Sequence, residues 1–312
     1  MTWRPTASFQ TLKKRAEFMA QVRQFFAAKK VMEVETPLLS HGTVTDVHLE
    51  GFKTDFLYSN TQSEPQSLYL QTSPESAMKR LLAAGSGSIF QICKSFRNEE
   101  AGRFHNPEFT MLEWYRPDFD DHMLMTELDE LVQTLLGCPK AIKLSYQQAF
   151  LTHLNLDPLS ASFEQIKSLV LSLSDDDWLK TTNDKDTLLQ WLFSMKVEPV
   201  LGKNDADTDS DSKGMTIPCF VYDFPASQAA LARINKDDNR VAHRFELYFN
   251  GVELANGFYE LQDAKEQQTR FEQDNLQRQE MGLEVKPIDQ HFLSALAHGL
   301  PDCAGVAVGL DR

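Results

Sequence analysis

Apolar residues near the start of the chain recur at intervals of three and four positions. This spacing runs through residues 9–30, with lysine and arginine between the apolar positions, and it predicts an amphipathic helix. The apolar positions of the helix are Leu12, Ala16, Met19, Val22 and Phe26. The segment VMEVETPLL follows and predicts a short strand interrupted at Pro37, because a residue without an N–H group suits a strand end or a sheet edge.

Two-residue alternation predicts most of the remaining regular structure. Strands are predicted for SIFQICKSFRNE, EFTMLEWY, MTIPCFVYDFP, HRFELYFNG and VELANGFYEL. Helices are predicted for SPESAMKRLLAAG and HMLMTELDELVQTLLG, which end near Gly85 and at Gly137, and for a charged segment at 262–281. Residues 145–195 carry weaker helical patterns. The chain therefore mixes strands and helices along its length.

The strand pair at 89–99 and 109–115 has one polar face. Alternation places the following residues on it: Arg97, Glu99, Phe109, Met111, Glu113 and Tyr115. The opposite face carries Ile92, Phe96, Leu112 and Trp114 and is predicted to face the core. A solvated face of paired ions is one interpretation of the polar side. A binding site is the other, and we favour it because such groups are costly to bury without partners.

A second predicted hairpin turns at Asn250–Gly251, a dipeptide typical of a two-residue type I′ turn. Counting back from the turn pairs Phe249 with Val252, Tyr248 with Glu253 and Glu246 with Ala255. Glu246 and Glu253 are then diagonal neighbours, roughly 7 Å apart. Their carboxylates repel each other unless a cation lies between them, and Mg²⁺ is commonly held by one or two carboxylates together with substrate phosphates. A solvated hairpin without a metal is the alternative interpretation.

Composition narrows the classes of function. The 312 residues include 31 Lys+Arg and 45 Asp+Glu, a formal net charge of -14, so the surface as a whole repels a phosphate backbone. Cys93, Cys138, Cys219 and Cys303 are far apart and are predicted to be reduced packing residues. No apolar run approaches the roughly 18 residues of a membrane span, and the N-terminus does not resemble a signal peptide. We therefore expect a cytoplasmic protein with no membrane partner.

The stretch KNDADTDSDSKG at 203–214 is rich in aspartate and has almost no apolar residues. A calcium-binding loop is one interpretation, but the EF-hand pattern starting at Asp207 fails at two positions. Ser212 stands where glycine is needed, and Pro218 stands where a bidentate glutamate is needed. We interpret the stretch as a mobile surface loop.

These segments together resemble the catalytic domain of class II aminoacyl-tRNA synthetases, in particular the lysine branch. The first helix, the strand and Pro37 are similar to the first class motif, FRNE with HNPEF to the second, and GVAVGLDR to the third. YLQTSPE and FELYFNGVELANGFYEL are similar to the amino-acid pocket of that branch. The resemblance implies an α+β fold with an antiparallel sheet flanked by helices. It also implies one catalytic domain over residues 1–312, with a helical and acidic-loop insert at about 150–215.

The resemblance assigns expected roles to individual residues. Arg97 and Arg312 are the expected catalytic residues: Arg97 contacts the α-phosphate of ATP, and Arg312 and Phe109 sandwich the adenine. The expected ATP-binding residues are Arg97, Asn98, Glu99, Arg103, His105, Asn106, Phe109, Glu246, Leu247, Gly309 and Arg312. Glu246 and Glu253 are the expected ligands of Mg²⁺. The expected amino-acid-binding residues are Ser73, Pro74, Glu75, Glu113, Tyr115, Glu253, Asn256, Glu260 and Ala307.

One geometric condition applies to this pocket. Strict alternation from Glu253 sends Asn256 and Glu260 to the opposite face of the strand, so both can reach the pocket only if the strand contains a bulge. We expect the bulge near Asn256–Gly257.

Departures from the lysine branch point to a particular acceptor. An anticodon-binding OB-fold needs about 80 residues or more, and the first motif already begins near residue 9, so we expect no such domain. Together with the charge of -14, this argues against tRNA as a partner. The resemblance then implies a stand-alone ligase that activates lysine or (R)-β-lysine with ATP and transfers it to a lysine ε-amine of elongation factor P. A tRNA-charging core and a non-catalytic paralogue are the alternatives.

Three substitutions relative to the lysine branch indicate a reshaped pocket. Phe104 stands where an arginine is usual, Ala307 where a glycine is usual and Ser73 where an alanine is usual. One added methyl group in a pocket wall alters the preference between isomers by ~1–3 kcal/mol. The family architecture also implies a homodimer formed through the helix and strand around Pro37.

Overall fold

The structure is a computed structural model and describes residues 3–59, 65–98, 102–203 and 216–312. Its helices are α1 (Phe9–Ala28), α2 (Glu75–Ala83), α3 (Asp121–Leu136), α4 (Tyr146–Leu154), α5 (Phe163–Leu173), α6 (Asp177–Thr181), α7 (Lys185–Leu192), α8 (Ala264–Glu280) and α9 (Gln290–Gly299). Its strands are β1 (Met32–Glu33), β2 (Leu39–Ser40), β3 (Lys53–Phe56), β4 (Gln66–Leu70), β5 (Ile89–Phe96), β6 (Glu108–Pro117), β7 (Ile142–Ser145), β8 (Cys219–Pro225), β9 (Val241–Phe249), β10 (Val252–Tyr259) and β11 (Cys303–Gly309). A π-helical turn spans Phe193–Val197, and 3-10 turns span Glu198–Val200 and Ala226–Gln228. Apart from Lys203, the acidic loop predicted at 203–214 lies outside the described residues.

An eight-stranded sheet organises the fold. Its strand order is β1-β5-β6-β11-β10-β9-β8-β7, and every neighbouring pair from β5 to β8 is antiparallel. The α+β class is therefore confirmed. The two edge strands differ from the expected antiparallel sheet, because β1 pairs with β5 and β7 pairs with β8 in parallel. Parallel pairing requires a crossover, which α2 supplies between β1 and β5 and α4–α7 supply between β7 and β8.

Helix α3 ends at the glycine that the sequence predicts, whereas helix α1 is shorter than predicted. The Asp120 side chain accepts a hydrogen bond from the Met123 N–H at the start of α3, and Gly137 ends that helix with a φ of 63°. Helix α1 ends at Ala28, two residues before the predicted boundary at residue 30, and only the second half of its apolar stripe is buried. Leu12, in the first half, remains 46% exposed.

The apolar face predicted for β5 and β6 is the core side of the sheet. Leu112 and Trp114 pack there with Phe26 of α1 and Leu128 of α3, and Ile92 packs against the same cluster. On the opposite face, Met78 of α2 and Phe292 of α9 form a smaller cluster against the sheet. The polar face is therefore partly covered, and a cavity remains between it and the helices above.

The helices between β7 and β8 build a third cluster. Phe150 of α4 and Leu188 of α7 pack with Phe193 against Val221 of β8. The four cysteines are free thiols, as predicted. In the described ranges, no helix combines the length and the apolar character needed to cross a membrane.

Candidate active site

A cavity of about 550 Å³ lies on the polar face of the sheet. Its lining includes these residues from the predicted set: Ser73, Glu75, Arg97, Glu113, Tyr115, Asn256, Glu260 and Ala307. They come from the start of α2, from the β5–β6 pair, from the β10 region and from β11. Segments that are distant along the chain thus meet around one space.

The register of the sheet aligns three of these positions in one row with Glu246. Glu113 on β6 pairs with Ala307 on β11, Ala307 pairs with Asn256 on β10, and Asn256 pairs with Glu246 on β9. Directly opposed residues of antiparallel strands share a face of the sheet. The amino-acid residues expected on β6 and β10 and the metal ligand expected on β9 therefore lie on the same face.

A β-bulge in the β9–β10 hairpin produces this row. The predicted pairs of Phe249 with Val252 and of Tyr248 with Glu253 are confirmed. The predicted pair of Glu246 with Ala255 is wrong, because the register shifts between Glu253 and Ala255, and Ala255 pairs with Leu247 instead. A bulge is present, as expected, but it lies closer to the turn than Asn256–Gly257. The extra residue reverses the alternation, so that Asn256 turns to the face that carries Glu246 and Glu253.

Three carboxylates converge at the floor of the cavity. Glu113 is 2% exposed and Glu260 is fully buried, and Glu75 joins them from the first turn of α2. Tyr115 donates a hydrogen bond of 2.6 Å to Glu113 Oε1. The Lys79 ammonium lies 2.6 Å from Glu75 Oε1 and 2.5 Å from Glu260 Oε2. Among the described residues, Glu113 Oε2 and Glu260 Oε1 have no hydrogen-bond partner.

The crowding of carboxylates perturbs their protonation. Burial raises the pKa of Glu113 well above its ordinary range, and the neighbouring Glu75 carboxylate raises it further. Burial raises the pKa of Glu260 to about 8, with Lys79 opposing the rise and Glu75 adding to it. Both carboxyl groups therefore hold their protons more tightly than free carboxyl groups do. A ligand with cationic groups would replace those protons and leave both carboxylates ionised.

Gly305 leaves space at the floor for these side chains. A Cβ atom at this position would overlap the Tyr115 ring and lie 2.5 Å from Glu260 Oε1. Because Tyr115 and Glu260 are both buried, neither side chain has room to move away. Only glycine fits between them.

The residues expected to bind the nucleotide lie beside the acid cluster. The Arg97 guanidinium is 5.3 Å from the centre of the Phe109 ring. Arg312 Nη1 donates a hydrogen bond of 2.6 Å to the Glu253 carbonyl oxygen, and Arg312 Nη2 lies 2.7 Å from His105 Nε2. Arg312 thus contacts both the predicted nucleotide residue His105 and the predicted metal ligand Glu253.

The remaining predicted residues fall into several groups. Arg103, His105 and Asn106 are exposed in the loop before β6, and Gly309 ends β11. Pro74 occupies the N-cap position of α2, and the Asn98 N–H donates to the Glu50 carbonyl oxygen at 2.7 Å. The Leu247 side chain is buried in the core on the other face of the sheet, so it does not face the cavity. Glu99 lies outside the described residues.

Glu246 and Glu253 form a candidate Mg²⁺ site. Burial raises the pKa of Glu246; the Arg244 guanidinium opposes this rise, and the Glu253 carboxylate adds to it. Carboxylate oxygens are the ligands that Mg²⁺ prefers. No set of three or more His, Cys, Asp or Glu side chains within the described ranges forms a ready metal cluster. A Mg²⁺ ion held here would therefore take its other ligands from water and from substrate phosphates.

Two residues that we did not predict hold Glu246 in place. Arg244 Nη2 donates a hydrogen bond of 2.6 Å to Glu246 Oε1, and the Tyr248 hydroxyl donates to Glu246 Oε2. Such partners orient a metal-binding carboxylate. Both lie two positions from Glu246 on the same strand, so the alternation of β9 already contained the signal that finds them.

Two further residues of the site were missed. Lys79 lies four positions after Glu75 on α2, and this spacing puts both on one face of the helix. Glu198 lies in a 3-10 turn that follows α7. Burial raises the pKa of Glu198 to about 7, and the neighbouring carboxylates of Glu253 and Glu246 contribute to the rise. The sequence around Glu198 carries no pattern that brings it to this site.

Comparisons with known proteins show the family of this chain. The family model described as tRNA synthetases class II (D, K and N) matches residues 1–312. A protein of Photobacterium profundum named elongation factor P–(R)-beta-lysine ligase is 57% identical over 310 residues, which cover 99% of this chain and 92% of that protein. A protein of Salmonella typhi with the same name is 57% identical over 311 residues, covering 100% of this chain and 92% of that protein. The chain therefore belongs to the class II tRNA synthetases of the D, K and N group, and it is an ATP-dependent ligase built on their fold.

Proposed function

We propose that this ligase activates (R)-β-lysine, or lysine, as an aminoacyl-adenylate and transfers it to a lysine ε-amine of elongation factor P. Two relatives at 57% identity carry a name with this substrate and this acceptor. A cytoplasmic location suits an enzyme that modifies a translation factor.

The observation that carries the proposal is the buried acid cluster of Glu75, Glu113 and Glu260 at the cavity floor. Lys79 and Tyr115 pair only part of this cluster, and Glu113 Oε2 and Glu260 Oε1 keep no hydrogen-bond partner among the described residues. Unpaired buried carboxylate oxygens are costly, so the cluster favours a cationic ligand. A diamino acid brings two ammonium groups. Its carboxylate would then point away from the cluster, toward Arg97 and the residues expected to bind the nucleotide.

The first chemical step joins the amino acid to the nucleotide. A carboxylate oxygen of the amino acid attacks the α-phosphorus of ATP, a new C–O–P linkage forms, and the bond to the β-phosphate breaks with release of pyrophosphate. The attacking carboxylate is already ionised, so the protein needs no general base. Arg97 would stabilise the negative charge that develops at the α-phosphate. Glu246 and Glu253 would hold Mg²⁺, which neutralises phosphate charge.

The second step transfers the aminoacyl group. The acceptor ε-amine, once it has lost a proton, attacks the carbonyl carbon of the adenylate, and AMP leaves as the amide bond forms. In the adenylate the amino-acid carboxylate has become a neutral anhydride, so this part of the intermediate carries two positive charges. The acid cluster would then bind the activated amino acid more tightly than the free one.

Ala307 is the proposed source of the isomer preference. Its register position lies between Glu113 on one neighbouring strand and Asn256 on the other. A methyl group there narrows the pocket between two polar side chains that would contact the amino acid. A single methyl group changes the discrimination between similar ligands by about 1–3 kcal/mol.

We also propose a homodimer that uses the start of the chain. Phe9 and Leu12 of α1, Met32 of β1 and Leu39 of β2 are exposed apolar residues in the first forty positions of the sequence. Exposed apolar side chains in the helix and strands that the family architecture places at the interface support the proposal. The helices between β7 and β8 would form an insert that is peripheral to the catalytic sheet.

The test supplies the protein with ATP, Mg²⁺ and either α- or β-lysine, with purified elongation factor P or tRNA as acceptor, and measures product masses. We expect a mass gain on elongation factor P that is larger with β-lysine than with α-lysine. An Arg97→Ala variant serves as the catalytic control and should give no mass gain. Labelling of tRNA that equals or exceeds labelling of elongation factor P would reject the proposal.

A further inference from the structure

Lys79 is a buried ammonium group that the chemistry described above does not use. It is 1% exposed, and its Nζ atom lies 2.6 Å from Glu75 Oε1 and 2.5 Å from Glu260 Oε2. The Phe292 ring of α9 lies 5.8 Å from the same nitrogen and closes the other side. Lysines are almost never fully buried unless they are paired. Lys79 therefore lies beneath the cavity floor as a fixed cation rather than as a surface group.

The charges around Lys79 set the charge of the cavity. Three carboxylates, those of Glu75, Glu113 and Glu260, face one ammonium group, and the thiol of Cys303 is close by but neutral because burial raises its pKa. When the carboxylates are ionised, one of the three negative charges is balanced by Lys79. Two remain, which equals the number of ammonium groups in lysine or β-lysine.

Lys79 also determines which carboxylate oxygens remain available. It occupies one oxygen of Glu75 and one oxygen of Glu260. Glu260 Oε1 and Glu113 Oε2 have no hydrogen-bond partner among the described residues. Lys79 thus holds the Glu260 carboxylate, and the Tyr115 hydroxyl holds the Glu113 carboxylate, so the separation of the unpaired oxygens is fixed before a ligand arrives.

Stability alone does not explain a buried lysine at this position. A well-packed apolar side chain in place of a buried ion pair is often neutral or stabilising. The ion pairs of Lys79 with Glu75 and Glu260 are therefore better explained by ligand binding than by the stability of the fold.

We propose that Lys79 is a positioning residue that determines specificity: it fixes the separation of Glu75 and Glu260 and limits the cavity to ligands with two cationic groups. This proposal rests on the proposed function, because it takes a diamino acid as the ligand. Lys79 acts through the two glutamates and does not itself contact the substrate.

The test measures amino-acid-dependent exchange of pyrophosphate into ATP for the full chain and for a Lys79→Met variant. We expect KM for lysine and β-lysine to rise about a hundredfold, because Glu75 and Glu260 lose the charged hydrogen bonds that hold their carboxylates in place. KM for ATP and kcat should change little, because neither depends on the spacing of the glutamates. The matched control is Lys180→Met, which removes an exposed lysine paired with Asp177 and should match the parent protein.

A second readout separates specificity from a loss of structure. Norleucine keeps a four-carbon side chain and lacks the terminal amine, so the parent protein should discriminate strongly against it. In Lys79→Met the ratio of kcat/KM for lysine to that for norleucine should fall at least about tenfold. An unchanged ratio together with an unchanged KM for lysine would overturn the proposal.

A third variant keeps the proposal testable if Lys79→Met fails to fold. Lys79→Ala leaves a space that n-propylammonium can fill, and added n-propylammonium should restore lysine-dependent exchange while 1-propanol should not. Restoration by both compounds, or by neither, would overturn the role assigned to the charge. If the parent protein itself shows no exchange with lysine or β-lysine, the proposed function fails. If the parent protein exchanges and Lys79→Met equals it, only the proposal for Lys79 fails.

Discussion

Replacing Glu260 with glutamine should weaken binding of the amino acid and stabilise the fold. Glu260 is fully buried, and its pKa is raised to about 8 from an ordinary value of 4.5. Because the folded state holds the proton more tightly than the unfolded state, the protein loses stability as pH rises from 4.5 to about 8. Glutamine resembles the protonated carboxyl group in shape, does not titrate and keeps an oxygen that accepts from Lys79. Lys79 also keeps its ion pair with Glu75, so the variant is free of this loss without leaving a buried charge unpaired.

The size of the effect follows from the pKa. Between pH 4.5 and pH 7 each pH unit costs about 1.4 kcal/mol, so the gain in the variant at pH 7 is on the order of 3 kcal/mol. For a domain of this size that corresponds to a rise in Tm of roughly 5 °C. The difference in Tm should disappear near pH 4.5. Loss of a hydrogen bond to a charged group costs about 1.5–3 kcal/mol, so KM for the amino acid should rise roughly 10- to 150-fold.

Two assays test this pair of effects. Thermal unfolding from pH 4.5 to pH 8 measures the gain in stability, and pyrophosphate exchange measures KM for lysine and β-lysine. A Glu272→Gln variant on the exposed side of α8 is the control and should alter neither quantity. A lower Tm for Glu260→Gln at pH 7 would show that Glu260 is a structural ion-pair partner, and an unchanged KM would show that it does not bind substrate. Either result would refute the reasoning.

Three other predictions concern the cavity and the candidate Mg²⁺ site beside it. KM for the amino acid should fall as pH rises from 6 to about 8, because Glu260 must lose its proton before it can accept an ammonium group. Calorimetry of amino-acid binding in buffers of different ionisation enthalpy should detect the released proton. Gly305→Ala should raise KM for the amino acid at least about fivefold and leave KM for ATP unchanged, because the added Cβ atom would overlap the Tyr115 ring. Unchanged affinity for the amino acid in this variant would argue against a tightly packed cavity floor. Glu246→Gln should slow pyrophosphate exchange at least about tenfold and raise the Mg²⁺ concentration needed for half-maximal rate. A Mg²⁺ titration at fixed ATP measures the second effect, and an unchanged titration curve would place the metal elsewhere.

Strand alternation and turn chemistry carried most of what the sequence could predict. The polar face of β6 with Glu113 and Tyr115 followed from a period of two, and the pairing of Tyr248 with Glu253 followed from the Asn250–Gly251 turn. Both signals are local, so they survive in any tertiary context that buries one face of the sheet.

The bulge shows where such reasoning stops. One extra residue after Glu253 decides whether Asn256 reaches the cavity, and the need for it was visible only because the pocket required it. Its position depends on how β10 fits between β9 and β11, which local sequence does not encode. Glu198 was harder still to predict from the sequence. The path of the chain between β7 and β8 brings it close to Glu246, and no periodicity in the sequence links the two residues.

The burial of charged side chains was the other feature that the sequence pattern did not predict. Lys79 reads as a polar position on an amphipathic helix, and its fully buried environment appears only when α2, α9 and Glu260 are packed together. Arg244 likewise reads as a surface arginine, although its guanidinium pairs with Glu246 above the sheet. Charged residues are expected outside, and a binding site is the usual exception.

The central claim is that the acid cluster binds both ammonium groups of a diamino acid next to the nucleotide. The most direct measurement is a crystal structure of the full chain with β-lysine and a non-hydrolysable ATP analogue. The account predicts both ammonium nitrogens within about 3.2 Å of carboxylate oxygens of Glu75, Glu113 or Glu260, and the α-phosphate beside Arg97. A β-lysine bound with only one ammonium group on these carboxylates, or bound outside the cavity, would contradict it.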